Sequence, residues 1–175
     1  LLDITSIESG ALAPRCDWVE LSDVLGTALG AAEVSLVGRP VRIDLPPDLP
    51  LLRVDFVLIE HVLLNLIENA AKYAASDSVI EISARYCDDM VVLDMFNSCQ
   101  PLPSDAEMER LFEKFYRGAV SVEGSGLGLS ICRGFMAAHG GGITARRDDV
   151  CGGITFSLTF PVEAGQPLSE LVYDE

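Results

Sequence analysis

From Phe56 to Ala74, apolar residues recur at Phe56, Ile59, Leu63, Leu66, Ile67, Ala70 and Ala74. At about 100° per residue these positions form one broad stripe of a long helix, with Asp55 placed to cap it. The opposite side carries Asn65, Asn69 and Lys72 at spacings i, i+4 and i+7, with Tyr73 at their edge. A solvated helix face ordinarily carries Glu, Lys and Arg, so two amides and a lysine in one line point to a ligand.

Elsewhere the period is two. Residues 17–21 read as a short strand, followed by an amphipathic helix over 22–37 that starts from a Ser22 cap. Residues 41–45 alternate as a strand, and Pro46, Pro47 and Pro50 then mark a tight connection. Residues 79–86 and 90–96 read as paired strands around a turn at 87–89. Residues 97–123 form a long irregular stretch with one helical turn near 106–112, and such a stretch inside a domain is usually functional, here as a lid. A helix over 125–139 and a closing hairpin (143–147 and 154–160) complete the pattern. Helices in one layer and strands in the other predict an α/β (α+β) two-layer sandwich of a mixed sheet and helices.

Gly124, Gly126 and Gly128 stand at the start of the helix expected at 125–139. Free N–H groups and the dipole at a helix start favour a phosphate, and glycines at 126 and 128, flanking Leu127, let the backbone approach it. Alone, a GxGxG run is a weak signal. Beside the Asn65/Asn69/Lys72 face it is a strong one, because the two segments read as two walls of one nucleotide pocket. Asn69 is the first choice of ligand for a magnesium ion, since a hard cation held by phosphates needs few protein oxygens.

With LFEKFYRG (111–118) between them, these segments closely resemble the N box, F box and second glycine box of the ATP-binding catalytic domain of bacterial sensor histidine kinases, in that family's order. The resemblance covers roughly residues 1–161. The run VRIDLPPDLPLLRVDFVLIEHVLLNLIENAAKYA looks most like the potassium-responsive, KdpD-type branch. It implies a Bergerat-type fold, ATP and Mg²⁺ as cofactors, and a nucleotide site built from Asn65, Asn69, Lys72, Tyr73, Asn97, Lys114, Arg117, Gly124, Gly126, Leu127 and Gly128. Lys72 would add positive charge at the phosphates and Tyr73 would cover the base or ribose. Lys114 and Arg117 would either reach the phosphates or remain solvated, and Phe112 and Phe115 would pack the lid on the core.

Asn65 holds the catalytic position. In ATP-hydrolysing relatives of this fold a glutamate there activates water, whereas an amide takes no proton, so Asn65 argues for a kinase and against an ATPase motor. The implied partners are an upstream dimerisation domain of the same protein, a response regulator, and a second copy in a full-length homodimer. His61 and His139 lack the acidic residue and proline that follow the family's acceptor histidine. His139 reads as a structural residue at a helix end and His61 as a flank of the pocket. The phosphoacceptor is therefore expected outside this chain.

The first glycine box departs from the family pattern. Aligning VVLDMFN places Asn97 where the family has an Asp that accepts from the adenine amino group, and puts Cys99 and Pro101 on two glycine positions. Asp94 falls off that register. An Asn still accepts one hydrogen bond but loses charge assistance of about 1–2 kcal/mol. The alternative reading is accordingly a degenerate, weakly binding pseudokinase or scaffold domain.

Composition changes this picture little. At 49% hydrophobic and 22% charged residues the chain suits one folded domain. A net charge of −15 disfavours nucleic acid and anionic membranes but leaves Mg-ATP open, because a phosphate site needs only local donors and a metal ion. Cys16, Cys87, Cys99, Cys132 and Cys151 form no CxxC pair, which favours reduced cytosolic thiols. The expected layout is a dimerisation-helix end and linker at 1–16, the catalytic domain at 17–161 and a polar tail at 162–175. The expected location is cytoplasmic, as the cytosolic part of a membrane-anchored sensor.

Overall fold

The computed structural model describes residues 12–75, 78–116 and 125–164. In chain order its elements are β1 (Asp17–Val19), α1 (Leu21–Ala31), β2 (Val41–Asp44), β3 (Leu52–Val54), α2 (Phe56–Tyr73), β4 (Ile80–Cys87), β5 (Met90–Ser98), α3 (Asp105–Arg110), α4 (Gly128–Ala138), β6 (Gly142–Asp148) and β7 (Gly153–Pro161). Five strands form one mixed sheet in the order β2-β4-β5-β7-β6, in which only β2 and β4 run parallel.

Alternation along the strands sorts the two faces of this sheet. Ile80 and Ile82 of β4, Val91, Leu93 and Met95 of β5, and Phe156, Leu158 and Phe160 of β7 are buried under the helices. The other face carries Glu81, Ser83 and Arg85, all exposed, as an antiparallel sheet allows. α2 lies at the centre of the helical layer, packed on α1, α4 and β5. The two-layer α/β sandwich expected from the pattern is the observed fold.

The apolar stripe of α2 is wider than its spacing suggested. Leu58, Val62 and Ala71 are buried along with Ile59, Leu63, Leu66, Ile67 and Ala70, because α1 and α4 flank the helix on two sides. Each of the Leu, Ile and Val side chains contributes about 1.5–3 kcal/mol when fully buried, and the two alanines less. Asp55 caps the helix as expected, its Oδ1 accepting from Val57 N at 3.1 Å and Leu58 N at 3.2 Å.

Several boundaries differ from the sequence pattern, each for a local reason. β3 falls where a connection was expected; three residues are too few to show alternation, and their partner is β1, in a separate antiparallel ribbon. α1 starts at Leu21 with Glu20 at the cap position, and the Ser22 hydroxyl bonds the Glu20 carboxylate at 3.3 Å instead of capping the backbone. It ends at Ala31 because Val34 and Val37, which continue its period, are 86% and 79% exposed and gain no burial from a longer helix. β5 runs to Ser98, drawing Asn97 into the ladder opposite Ile154. The turn before it uses Asp88 and Asp89 at φ 51 and 58, the left-handed pair that a tight hairpin needs. α3 occupies 105–110, fixed by a Ser104–Glu107 capping box. α4 begins at Gly128, which leaves Gly126 and Leu127 in the approach to it. The expectations for residues 1–11 and 165–175 lie outside the described residues.

Candidate nucleotide-binding site

The two predicted walls meet. Asn65, Asn69 and Lys72 lie half-buried along one flank of α2, with His61 exposed one turn before Asn65. α4 packs against α2 so closely that a Cβ on Gly128 would overlap Asn65 Oδ1 and stand 3.0 Å from its Cγ and Nδ2. Gly126 has φ +71, and a Cβ there would lie 2.8 Å from the Phe115 carbonyl carbon and from the Tyr116 oxygen. Its own carbonyl accepts from Phe115 N at 2.9 Å. The glycine turn is thus clamped between the N-box helix and the F-box segment. Leu127, at the cap position of α4, supplies no side-chain cap, and among the described residues no other side chain caps the first-turn amides, a kind of helix start at which an anion can bind.

At the other end of α2, the Ala75 amide donates to the Ser98 carbonyl at 2.9 Å and ties the helix to the end of β5. Arg39, which the sequence reading missed, reinforces the joint by donating to Ala74 O at 3.1 Å and Ala75 O at 3.3 Å. A single arginine after a turn carries no signal for such a role. Asn97 is 3% exposed and shares the helix-facing parity of Leu93 and Met95, as does buried Cys99. Asp94 points to the opposite face, held by Arg85 and the Ser157 hydroxyl. The alternation therefore puts Asn97, and not Asp94, on the side where the helices lie.

Lys72 Nζ stands 5.7 Å from the ring centre of Tyr73, which is 40% exposed. Lys114 lies exposed in the turn after α3. Arg117 and Gly124 are outside the described residues. Phe112 packs against the core, with the Arg133 guanidinium 5.7 Å from its ring centre. Phe115 does not do so: it is 70% exposed at φ 60, because the chain turns sharply there to reach Gly126. Its contribution is the backbone amide that holds the glycine turn.

His139 is structural, as its position suggested, through a linkage that only the fold reveals. Its Nδ1 donates to Phe135 O at 2.7 Å and its Nε2 accepts from Asp55 N at 3.0 Å, so the neutral ring joins the end of α4 to the start of α2. Cys132 lies between the same helices, its thiol against Val62 O at 3.8 Å, and burial pushes that thiol up to about 12.

Among the described residues no group of three or more His, Cys, Asp or Glu side chains gathers. A magnesium ion would fit here as one held mainly by phosphates and water, with the Asn69 amide oxygen as protein ligand.

Residues 54–164 match the family described as histidine kinase-, DNA gyrase B-, and HSP90-like ATPase, and the chain belongs to that family. Membership implies ATP as its nucleotide. Over 177 aligned positions, 99% of this chain, it is 40% identical to the sensor protein KdpD of Escherichia coli K12, of which it spans 19%. The fold matches full-length ShkA in complex with AMPPNP at TM-score 0.79 and 21% identity, covering 93% of this chain and 34% of that one. It also matches the histidine kinase ThkA in complex with the response regulator TrrA at TM-score 0.70 and 22% identity, covering 91% of this chain and 47% of that one. The chain spans about a fifth of the length of the KdpD proteins it matches. Among the described residues no helix is long and apolar enough to cross a membrane.

Proposed function

We propose that this chain is the catalytic domain of a two-component sensor histidine kinase, which binds Mg-ATP and presents the γ-phosphate to a histidine on an upstream dimerisation domain. The observation that carries the proposal is the contact of Gly128 with Asn65, which brings a helix start with uncapped amides against a flank of two amides and a lysine. In this reading the first turn of α4 and Lys72 hold the phosphates, Asn69 offers its oxygen to the magnesium ion, and Asn97 faces the base. Catalysis then rests on positioning and charge, as phosphoryl transfer requires. The γ-phosphoryl passes to an imidazole nitrogen and ADP leaves. Asn65 lies near the transferred group but cannot deprotonate water, which favours transfer over hydrolysis.

The partners that go with this function are the dimerisation domain, a second copy of the full-length protein and a response regulator that receives the phosphoryl group. The ThkA–TrrA complex is a structural neighbour in which a kinase of this fold engages such a regulator. The location that fits is the cytosolic side of a membrane-anchored sensor. Titration of this chain with AMPPNP, with and without magnesium, tests the proposal by calorimetry. Magnesium-dependent binding in the micromolar range is the expected outcome, and its absence would favour a scaffold role.

A further inference from the structure

We infer that the base subsite discriminates only weakly between 6-amino and 6-oxo purines, because Asn97, a neutral amide, is the residue that reads that position. The inference rests on the nucleotide-binding proposal above and extends it to the choice of base.

Asn97 is a polar side chain, 97% buried by its 3% exposure, on the helix-facing side of β5. Among the described residues it makes one side-chain hydrogen bond, from Nδ2 to the Ser98 carbonyl at 3.4 Å, a length at which such bonds are weak. Its Oδ1 accepts nothing from the described residues. No fully enclosed side-chain polar atom among those residues lacks a partner, so Oδ1 keeps an opening on its surroundings. An acceptor that retains this opening on an otherwise buried side chain is placed for an incoming donor.

Its position relative to the phosphate end matches a nucleotide. From Asn65, against the glycine turn, to Ala74, beside the end of β5, α2 rises about 13 Å. That is comparable to the span of an extended nucleoside triphosphate from phosphate to base. Phosphates at Gly128 therefore leave the base near Asn97.

An amide carries an acceptor and a donor on adjacent atoms. In the observed orientation Oδ1 can accept from the amino group of adenine. A half-turn of χ2, a broad torsion in asparagine, presents Nδ2 to the carbonyl of hypoxanthine or guanine. The turn gives up the long bond to Ser98 and sets Oδ1 against that carbonyl, a cost that leaves adenine ahead. Ile154 opposite Asn97 and Cys99 on the same face add no charge that would select one base. A carboxylate at this position would accept only, and would repel a 6-oxo group.

The test is competition binding of ATP and inosine triphosphate to this chain in the presence of magnesium, with guanosine triphosphate as a third ligand. Inosine isolates position 6 from the 2-amino group of guanine. The unaltered protein is expected to bind ATP and inosine triphosphate within tenfold of one another, with ATP ahead. Asn97→Asp is expected to widen that ratio at least tenfold, and a thermal melt checks that this variant is folded. A preference for ATP above a hundredfold in the unaltered protein would overturn the inference while leaving the nucleotide proposal standing. So would an Asn97→Asp variant, folded and binding ATP, whose ratio is unchanged. Failure of every nucleotide to bind would overturn the underlying proposal itself, and the inference with it.

Discussion

Gly128 and Asn65 share one space: the first residue of α4 can sit where it does only because it has no side chain to meet the Asn65 amide. The contact joins residues on two helices and sets how far the uncapped amides of one stand from the amide-lined flank of the other. In the proposed site the glycine would serve twice, in backbone approach to a phosphate and in direct seating of Asn65.

Gly128→Ala should therefore separate stability from binding. Alanine favours a helix over glycine by about 1 kcal/mol, and the obstacle is the mobile end of one side chain, so the melting midpoint should change little. Nucleotide affinity should fall tenfold or more as Asn65 is displaced. Gly126→Ala should behave differently, because at φ +71 its new methyl meets backbone atoms of Phe115 and Tyr116. The left-handed conformation alone costs about 1–2 kcal/mol. Calorimetric titration beside thermal melts reads both; equal melts and equal affinities for the two variants would contradict the clamp.

Asn69→Ala should abolish the magnesium dependence of nucleotide binding and leave the domain folded. The residue lies half-buried on the flank away from the buried stripe of α2, so truncation should change stability by less than about 1 kcal/mol. Titrations with AMPPNP at saturating magnesium and in EDTA give the comparison. A variant that keeps the magnesium effect would show that another group holds the ion.

This chain alone should not phosphorylate itself, and its ATP hydrolysis should be very slow. Both ring nitrogens of His139 are engaged in the neutral form, and His61 sits on the N-box helix itself, before Asn65. Incubation with γ-labelled ATP followed by acid treatment should release no protein-bound label. Acid-labile phosphate on either histidine would refute this assignment.

The five thiols should react in two classes. Cys16, Cys87 and Cys151 are exposed, whereas Cys99 and Cys132 are buried. The thiolate is the reactive form, and burial holds Cys132 at about 12, so at pH 8 it should label only on unfolding. Burial also raises Cys99, which should react slowly, and more slowly still with nucleotide bound because it shares the face of Asn97. Mass spectrometry after timed alkylation resolves the positions. Rapid native labelling of Cys132 would show that the α2–α4 interface opens readily.

The helix at 56–73, its cap at Asp55 and the alignment of Asn65, Asn69 and Lys72 were legible because each follows from spacing within one element. The hairpin at 80–98 was legible for the same reason, and the order of the three boxes added the family. Where burial was decided by a neighbour, spacing misled. The apolar period past Ala31 suggested a longer α1, but no neighbour covers Val34 and Val37. Phe115 looked like a core residue by type, yet the turn that reaches Gly126 directs it into solvent.

What the sequence determined alone, then, was each element with a repeat long enough to show itself, together with the residue types able to hold phosphate and metal. Tertiary structure decided which of them touch. It placed Gly128 on Asn65, joined His139 to Asp55, paired three-residue β3 with β1, and turned Asn97 inward while Asp94 faced out. The physical reason is that periodicity records only the face a residue shares with its near neighbours. Contacts between distant segments depend on how whole layers pack, and no local pattern carries that information.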